Sequence, residues 1–165
     1  MPGASRFLAD PYDFRPVTAG DLALLNSWIA RPHVAEWWEE GFDIDDLRDP
    51  RVTHWLVTHN DQPFAFMQDY TPHGWEDHPF GYLPAGARGV DQFIGEAAML
   101  GQGHGSGFIA QRVRALFAAG APVVATDPHP DNARAIAAYR KAGFQVSGED
   151  RDTQWGRIRP MLAYP

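Results

Sequence analysis

The spacing of apolar residues changes along the chain and marks out its strands and helices. Residues 12–17 alternate between polar and apolar side chains, which predicts a short strand. Between Thr18 and Pro32 the apolar residues recur every three or four positions, and Asp21 completes a capping box with Thr18, so we predict a helix. A second short helix is predicted over residues 33–39.

The middle of the chain has the pattern of a hairpin followed by a long loop. Residues 52–59 and 64–71 are predicted strands joined by a turn at residues 60–63, where Asn, Asp and Pro favour chain reversal. Residues 72–86 hold three prolines and three glycines and predict a loop. Long loops inside compact domains are usually functional. Residues 89–94 form the next predicted strand.

The last third of the chain alternates strands with helices. Predicted helices cover residues 105–119 and 132–142, the second ended by Gly143, and predicted strands cover residues 122–125, 144–148 and 154–164. The pattern therefore indicates a mixed α/β protein. We expect a single domain over residues 1–165, in which residues 1–11 form a loose leader.

Composition and charge narrow the range of functions. The 165 residues are 44% hydrophobic, which suits one packed core. The chain has no cysteine, which excludes disulfides and a cysteine nucleophile and makes the reducing cytoplasm the expected location. It has no apolar run of the roughly 18 residues that a membrane span needs. The net charge of −7, without a basic stripe, argues against nucleic acid and suits either a cationic partner or ordinary solubility.

The segment Leu100–Phe108 is the most informative in the chain, because four glycines alternate with other residues just before a predicted helix. Glycine permits a positive φ and lets a ligand approach the main chain closely. Free N–H groups at a helix N-terminus bind anions such as phosphate. The segment lacks the lysine of a Walker loop and fails both registers of the dinucleotide fingerprint. We predict a different phosphate-binding loop, with an ordinary surface turn as the alternative.

Two patterned segments, residues 102–107 and residues 132–144, connect the chain to a known family. The first has the pattern Gln/Arg-x-x-Gly-x-Gly/Ala, and the second has the pattern Asn-x-x-Ala-x-x-x-Tyr-x-Lys-x-Gly-Phe. In this order they resemble the pyrophosphate loop and the following element of the GNAT superfamily of N-acetyltransferases. The resemblance implies a GNAT fold, whose mixed and mostly antiparallel central sheet is splayed at the cofactor site, with helices on both faces.

The resemblance also implies that the chain binds acetyl-coenzyme A. The pyrophosphate would lie on N–H groups of the glycine loop, and the pantetheine arm would run beside the main chain of Phe93 and Ile94. The coenzyme-binding residues expected from the resemblance are Phe93, Ile94, Gln102, Gly103, His104, Gly105, Ser106, Gly107, Asn132, Ala135, Tyr139 and Lys141. Asn132 is also a favourable helix N-cap, and Lys141 is equally well explained as an exposed helical lysine.

Three further segments, residues 33–38, 89–94 and 126–132, are similar to aminoglycoside 6′-N-acetyltransferases. The chain departs from that group at His73, where an aspartate is expected before Gly-Trp, and the stretch between residues 38 and 52 is short. Siderophore-type acyltransferases share much of the pattern, but Asp91 stands where they are expected to have a histidine.

Acetyl transfer to an amine needs a group that binds and deprotonates the ammonium and a group that protonates the leaving thiolate. We expect Asp91, in an otherwise apolar strand, to be the base or the substrate anchor. The alternative is a carboxylate satisfied by main-chain N–H groups. We expect Tyr139 to be the acid, since it lies seven residues after Asn132 on one helix face. The alternative is a core tyrosine.

The acceptor side is predicted from aromatic and acidic residues, because such walls suit a polycation. The expected substrate-binding residues are Trp37, Trp38, Asp69, Tyr70, Trp75, Asp91 and Asp127. Core packing is the alternative for each tryptophan, and a turn is the alternative for Asp127 before its proline. The histidines are scattered, so no metal site is expected.

The expected function is acetyl transfer from acetyl-coenzyme A to a primary amine, by direct attack in a ternary complex, with an aminoglycoside 6′-amino group as the preferred acceptor. One alternative is an acetyltransferase for another small amine, such as a polyamine, a lysine or hydroxylysine derivative or a siderophore precursor. Another is a non-catalytic acyl-coenzyme A sensor. A monomer or a homodimer is expected.

Overall fold

The computed structural model describes residues 10–165, and a seven-stranded sheet forms its centre. The strands are β1 Asp13–Pro16, β2 Val52–His59, β3 Gln62–Tyr70, β4 Arg88–Ile94, β5 Val124–Thr126, β6 Gln145–Val146, β7 Arg151–Thr153, β8 Gly156–Ile158 and β9 Met161–Ala163. The helices are α1 Leu22–Ile29, α2 Pro32–Ala35, α3 Ile44–Arg48, α4 His104–Ala118 and α5 Ala133–Lys141. The sheet order is β1-β2-β3-β4-β5-β9-β6, and β7 pairs with β8 as a separate hairpin.

The sheet is splayed between β4 and β5, its parallel pair. Arg88 and Gly89 at the start of β4 pair with Val124 and Ala125, after which β5 ends at Thr126 while β4 continues. At the far end of β4 the N–H groups of residues 95 and 96 both donate to one carbonyl of β3, which makes a β-bulge. The opening that results agrees with the mixed, mostly antiparallel and splayed sheet predicted from the sequence.

Helices cover both faces of the sheet because side chains alternate along each strand. On one face α4 and α5 pack Phe108 and Ile136 against Met67 of β3. On the other face α1 packs Trp28 against Phe66 of the same strand. Each fully buried side chain of this size contributes about 1.5–3 kcal/mol to folding. The two cores hold the splayed strand from both sides.

Most predicted elements are confirmed, with ends that differ by a few residues. The strand over residues 52–59 is as predicted, and the capping box of Thr18 and Asp21 is present. The prediction that the first helix runs as far as Pro32 needs correction, because Pro32 is the first residue of α2. Within residues 10–165 no helix is long and apolar enough to cross a membrane. Residues 1–9 of the predicted leader lie outside the described residues.

The prediction of a strand over residues 154–164 is wrong at its start. Gln154 and Trp155 form the turn between β7 and β8, and β9 begins after Pro160. The β7–β8 hairpin is mostly exposed. An exposed hairpin has little apolar alternation, so the pattern that identifies half-buried strands is missing from it.

Candidate active site

A cleft of about 610 Å³ lies where β4 and β5 separate. Four parts of the chain form its walls, namely β4, the start of α4, the start of α5 and the segment after α2. It brings together most of the predicted site residues, including Asp91, Ile94, His104, Asn132, Asp127 and Tyr139. Distant parts of the sequence therefore meet in one concave site, as enzyme sites usually require.

The second half of β4 extends past the end of β5, so one edge of it is open to the cleft. The Arg88 N–H and the Val90 carbonyl point to the β5 side, where they bond Val123 and the Thr126 hydroxyl. Main-chain groups alternate along an antiparallel strand, so those of Gln92 and Ile94 point the same way, beyond the end of β5. The prediction for the main chain of Phe93 needs correction, since Phe93 is in register with Phe66 and its groups face β3, while its side chain lines the cleft.

A clamp from α1 and α2 fixes the end of β4. The Trp28 indole donates to Glu96 at 2.8 Å, and Arg31 donates to the Gly95 carbonyl at 2.9 Å and to Glu96 at 3.0 Å. His33 Nε2 lies 3.0 Å from the Ile94 carbonyl. A Cβ at Gly95 would lie 2.1 Å from the Trp28 ring, so only glycine permits this close approach. The bulge is thereby held in one position.

The glycine loop ends in a helix start that can bind an anion. Gly101 and Gly103 have φ values of 71° and 83°, the left-handed region that favours glycine. The first helical N–H groups of α4, from His104 onwards, have no partner within the helix and point outward. The Gly107 N–H is different, because it donates to the Gly103 carbonyl.

Two predicted loop residues lie outside the lining of the cleft. A Cβ at Gly107 would meet the Tyr12 hydroxyl at 2.8 Å, so this glycine is explained by close packing. The Gln102 side chain donates to the Ala98 carbonyl and holds the loop from outside. The anion site therefore centres on residues 103–106, a shorter stretch than the predicted 102–107.

The start of α5 forms the wall opposite β4. Asn132 accepts a hydrogen bond from the Ala135 N–H at 3.2 Å, which is the predicted N-cap. Ala135 lies on the cleft wall beside it, and Lys141 lies at the rim with an exposed side chain. The small side chain at residue 135 keeps this wall open to a ligand.

Asp91 and Asp127 are neighbouring carboxyls that both line the cleft. Gln68 donates to Asp91 from the neighbouring strand at 2.9 Å. Burial raises the pKa of both carboxyls, and the charge of Asp91 adds to the rise for Asp127, whose pKa lies well above its ordinary value. The two neighbouring carboxyls therefore bind a proton more readily than an exposed aspartate does, and they titrate as a pair.

Tyr139 is buried in α5 with its hydroxyl next to this pair. Burial together with the charge of Asp91 raises its pKa above the ordinary value, and the nearby Thr126 and Gln92 side chains lower it by less. It is also part of the core, against Phe144. The functional and the core interpretation of Tyr139 are thus both compatible with its position.

Asp69, predicted to bind substrate, lies elsewhere. It is 1% exposed and faces α4, and it accepts hydrogen bonds from Arg88 of β4 at 2.6 Å and from Arg112 of α4 at 2.9 Å. The Trp55 indole donates to it at 2.7 Å. The prediction is wrong in placing Asp69 in the cleft, because residues 68 and 69 point to opposite faces of β3 and Gln68 is the one beside Asp91.

The predicted aromatic residues divide into two groups. Trp37 and Trp38 line the cleft, Trp37 beside His129 and Trp38 packed on Phe93. Tyr70 and Trp75 do not line it. Tyr70 is 5% exposed and Trp75 faces a smaller neighbouring cavity. In the described part of the chain no three histidine, aspartate or glutamate side chains converge as metal ligands would.

Sequence reasoning missed the residues that surround the predicted base Asp91 and the predicted acid Tyr139. Gln68 bonds Asp91, and Gln92 and Thr126 lie near the Tyr139 hydroxyl, so each depends on strand register or on packing between distant segments. No local pattern contains that register. His33 was within reach, because it begins the segment over residues 33–38 that carried the finer resemblance.

Comparison with known proteins identifies relatives of this chain. The sequence matches the family described as an acetyltransferase (GNAT) domain over residues 17–151. It is 33% identical over 159 residues to aminoglycoside N(6′)-acetyltransferase type 1 from Klebsiella pneumoniae, which covers 84% of this chain and 76% of the relative.

Two solved structures share its fold closely. One is AAC(6′)-Ib in complex with ribostamycin and coenzyme A, with a TM-score of 0.84, 32% identity and coverage of 94% of each chain. The other is AAC(6′)-Ib in complex with coenzyme A and kanamycin, with a TM-score of 0.83, 31% identity and coverage of 93% of this chain and 94% of that one. Both structures contain a coenzyme together with an aminoglycoside.

Proposed function

The chain belongs to the GNAT family of acetyltransferases, and we propose that it transfers the acetyl group of acetyl-coenzyme A to a primary amine, the 6′-amino group of an aminoglycoside. The observation that carries the proposal is the Asp91–Asp127 pair, which lies in the same cleft as the free N–H groups of the α4 start. One end of the cleft thus suits a cation and the other an anion. The proposal includes a cytoplasmic location, where acetyl-coenzyme A is available.

The cleft fits acetyl-coenzyme A in size and in the donors that line it. Residues 103–106 offer N–H groups for the pyrophosphate, and the main chain of Gln92 and the Ile94 N–H can bond the amides of the pantetheine arm, since the Ile94 carbonyl is taken by His33. Asn132 and Ala135 form the facing wall. When bound, the coenzyme supplies an activated acetyl group as a thioester.

The acceptor amine arrives as an ammonium and is attracted by the carboxyl pair. We assign Asp91 the role of anchor and base, because it lies in the cleft on β4, beside the main-chain groups that are open to the coenzyme. Burial raises its pKa, which makes it a stronger base than an exposed aspartate. Asp91 accepts one proton from the ammonium, which frees the nitrogen lone pair for attack. Trp37 and Trp38 flank the approach and suit cation–π contact.

The thioester oxygen gains negative charge during the attack and needs a fixed donor. The N–H groups on the open edge of β4 can supply it, since the clamp of Trp28, Arg31 and His33 holds that edge in place. Tyr139 is assigned as the acid that donates its hydroxyl proton to the leaving thiolate, and it regains a proton from the nitrogen as the amide forms. Its raised pKa keeps the hydroxyl protonated throughout the physiological range.

Replacing Tyr139 by phenylalanine is expected to lower kcat about 100-fold, in the range typical of the loss of one general acid. The ring stays in the core against Phe144, so the protein should remain folded. Tyr164→Phe is the matched control, because Tyr164 is 66% exposed near the end of the chain. The measurement is coenzyme A release under saturating substrates. An unchanged kcat in Tyr139→Phe would rule out the acid role.

The function is tested by coenzyme A release from acetyl-coenzyme A with kanamycin, tobramycin, spermidine and lysine as acceptors. Turnover confined to the two aminoglycosides is the expected result, because the cleft combines carboxylates with aromatic walls. Turnover with spermidine or lysine alone would replace the acceptor and keep the acetyl transfer. Binding of acetyl-coenzyme A without release on any amine would contradict the proposal and indicate a sensor.

A further inference from the structure

His104 is the first residue of α4, and the proposed chemistry does not use its imidazole. It lines the cleft at the anion site of residues 103–106. We propose that the His104 imidazole takes up a proton when the coenzyme binds, so that it adds a positive charge to the diphosphate site. The inference rests on the proposed function, which places the coenzyme diphosphate on residues 103–106.

The position of His104 at the start of α4 makes its protonation sensitive to a bound anion. The Cα–Cβ bonds of a helix tilt towards its N-terminus, so this side chain leans towards the end where the free N–H groups lie. The partial positive charge of that end disfavours a second cation while the site is empty of anions. A bound diphosphate brings negative charge to the same place and reverses the preference.

The surroundings of His104 favour its neutral form in the free protein. The titratable side chains in contact with it are Tyr12, which precedes β1, and His59 at the end of β2. The ring centre of His104 lies 5.0 Å from that of His59 and 5.5 Å from that of Phe64. Burial and then the neighbouring His59 lower the pKa of His104, and within residues 10–165 no carboxylate acts against them. A phosphate would therefore be the counter-ion that this imidazole lacks.

The Tyr12 hydroxyl is a partner that suits both protonation states of His104. It lies 2.9 Å from Nδ1 of the imidazole. A phenol can donate a hydrogen bond to a neutral imidazole and can accept one from a protonated imidazole. Burial raises the pKa of Tyr12, so its own proton stays in place in both states. Nδ1 is therefore satisfied before and after proton uptake, which leaves Nε2 for a phosphate oxygen.

Tyr12 is itself fixed against the first turns of α4. Its N–H donates to the Gln111 side chain at 3.2 Å, and its carbonyl accepts from the same side-chain amide at 2.6 Å. A Cβ at Gly107 would lie 2.8 Å from the Tyr12 hydroxyl, so this hydroxyl rests on the face of α4 that also carries His104. The imidazole is thus held in one orientation beside the anion site, unlike the side chain of a free surface histidine.

The test measures the Kd of dephospho-coenzyme A between pH 6 and pH 8 for the wild type and for His104→Gln. This ligand keeps the diphosphate but lacks the 3′-phosphate, whose own second pKa of about 6 would add a pH dependence. For the wild type we expect binding about fivefold tighter at pH 6 than at pH 8, because the complex holds a proton that the free protein has lost. For His104→Gln the Kd should change by less than about twofold over the same range.

Proton uptake is measured directly by calorimetric titration at pH 7 in two buffers of different ionisation enthalpy. The wild type should take up a fraction of a proton on binding dephospho-coenzyme A, and His104→Gln should take up none. A purely structural His104 would instead give a wild type without proton uptake. His78→Gln is the matched control, because the pKa of His78 is lowered to about 4 and this residue does not line the cleft. It should bind and take up protons as the wild type does.

The outcomes separate this inference from the proposed function. Proton uptake that is lost in His104→Gln and kept in His59→Gln supports His104 as the group that is protonated. Uptake that is kept in His104→Gln, or a wild-type Kd that does not change with pH, would overturn the inference and leave the acetyl transfer untouched. Failure of the wild type to bind coenzyme A at any pH would overturn the proposed function instead.

Discussion

Replacing Asp91 by asparagine is expected to lower kcat about 1000-fold, while the Kd for coenzyme A stays close to the wild-type value. The amide keeps the shape of the side chain and can still bond Gln68, but it cannot accept a proton from an ammonium. The anion site of residues 103–106 lies in a different part of the cleft, so the substitution does not change it. Coenzyme A release and coenzyme titration measure the two effects separately.

The unfolding temperature of the Asp91→Asn variant distinguishes a loss of catalysis from a loss of folded protein. Folding raises the pKa of both Asp91 and Asp127. A carboxyl whose pKa is raised on folding favours the folded state at low pH, and this contribution is lost as pH rises through the folded pKa. The wild-type pair therefore destabilises the fold near pH 7. We expect Asp91→Asn to unfold at the same or a higher temperature at pH 7, with the difference shrinking towards pH 4.

Asp127→Asn is the informative companion to this experiment. Its amide can still donate a hydrogen bond to a neighbouring carboxylate, so the proposed base remains and kcat should fall less than in Asp91→Asn. An equal fall in kcat in the two variants would mean that the two carboxyls act only through their total negative charge, which binds the ammonium. Near-normal turnover of Asp91→Asn would exclude Asp91 as the base.

The parts of the site that could be predicted from sequence are those held in short segments. The glycine loop and the α5 start each need a few residues in a fixed local order, because positive φ at Gly101 and Gly103 and the cap at Asn132 are local requirements. The same holds for the strand over residues 52–59, in which Leu56 and Val57 are buried on opposite faces. Local chemistry was sufficient for these features.

The parts that escaped prediction depend on register between strands. Whether Asp69 or Gln68 faces the cleft follows from the pairing of Gln68 with Asp91, and a shift of one residue would exchange them. Asp91 lies on β4, and Asp127 comes directly after β5. The two aspartates meet because β4 and β5 are parallel neighbours in the sheet. An aspartate close to an aromatic residue in the sequence gives the same local pattern in both settings. Only the fold therefore distinguishes Asp69, which pairs with arginines, from Asp91, the proposed base.

Replacing Asp69 by asparagine is accordingly expected to destabilise the protein by about 3 kcal/mol, the lower end for removing one partner of a buried ion pair. Arg88 and Arg112 both bond this carboxylate, their side chains are 26% and 18% exposed, and the substitution leaves two partly buried guanidinium groups without their counter-charge. For a chain of this length the unfolding temperature should fall by roughly 6–12 °C. Thermal unfolding at pH 7 is the measurement.

Two comparisons make this prediction specific to the buried network. Asp152→Asn breaks an exposed pair with Arg157 and should change the stability by less than about 0.5 kcal/mol. Below its unfolding temperature the Asp69→Asn protein should keep a kcat near that of the wild type, because Asp69 lies on the α4 side of the sheet, away from the cleft. An Asp69→Asn variant that is as stable as the wild type but has no turnover would instead place Asp69 in the reaction. That result would mean that a carboxylate on the α4 side of β3 can still act on the substrate.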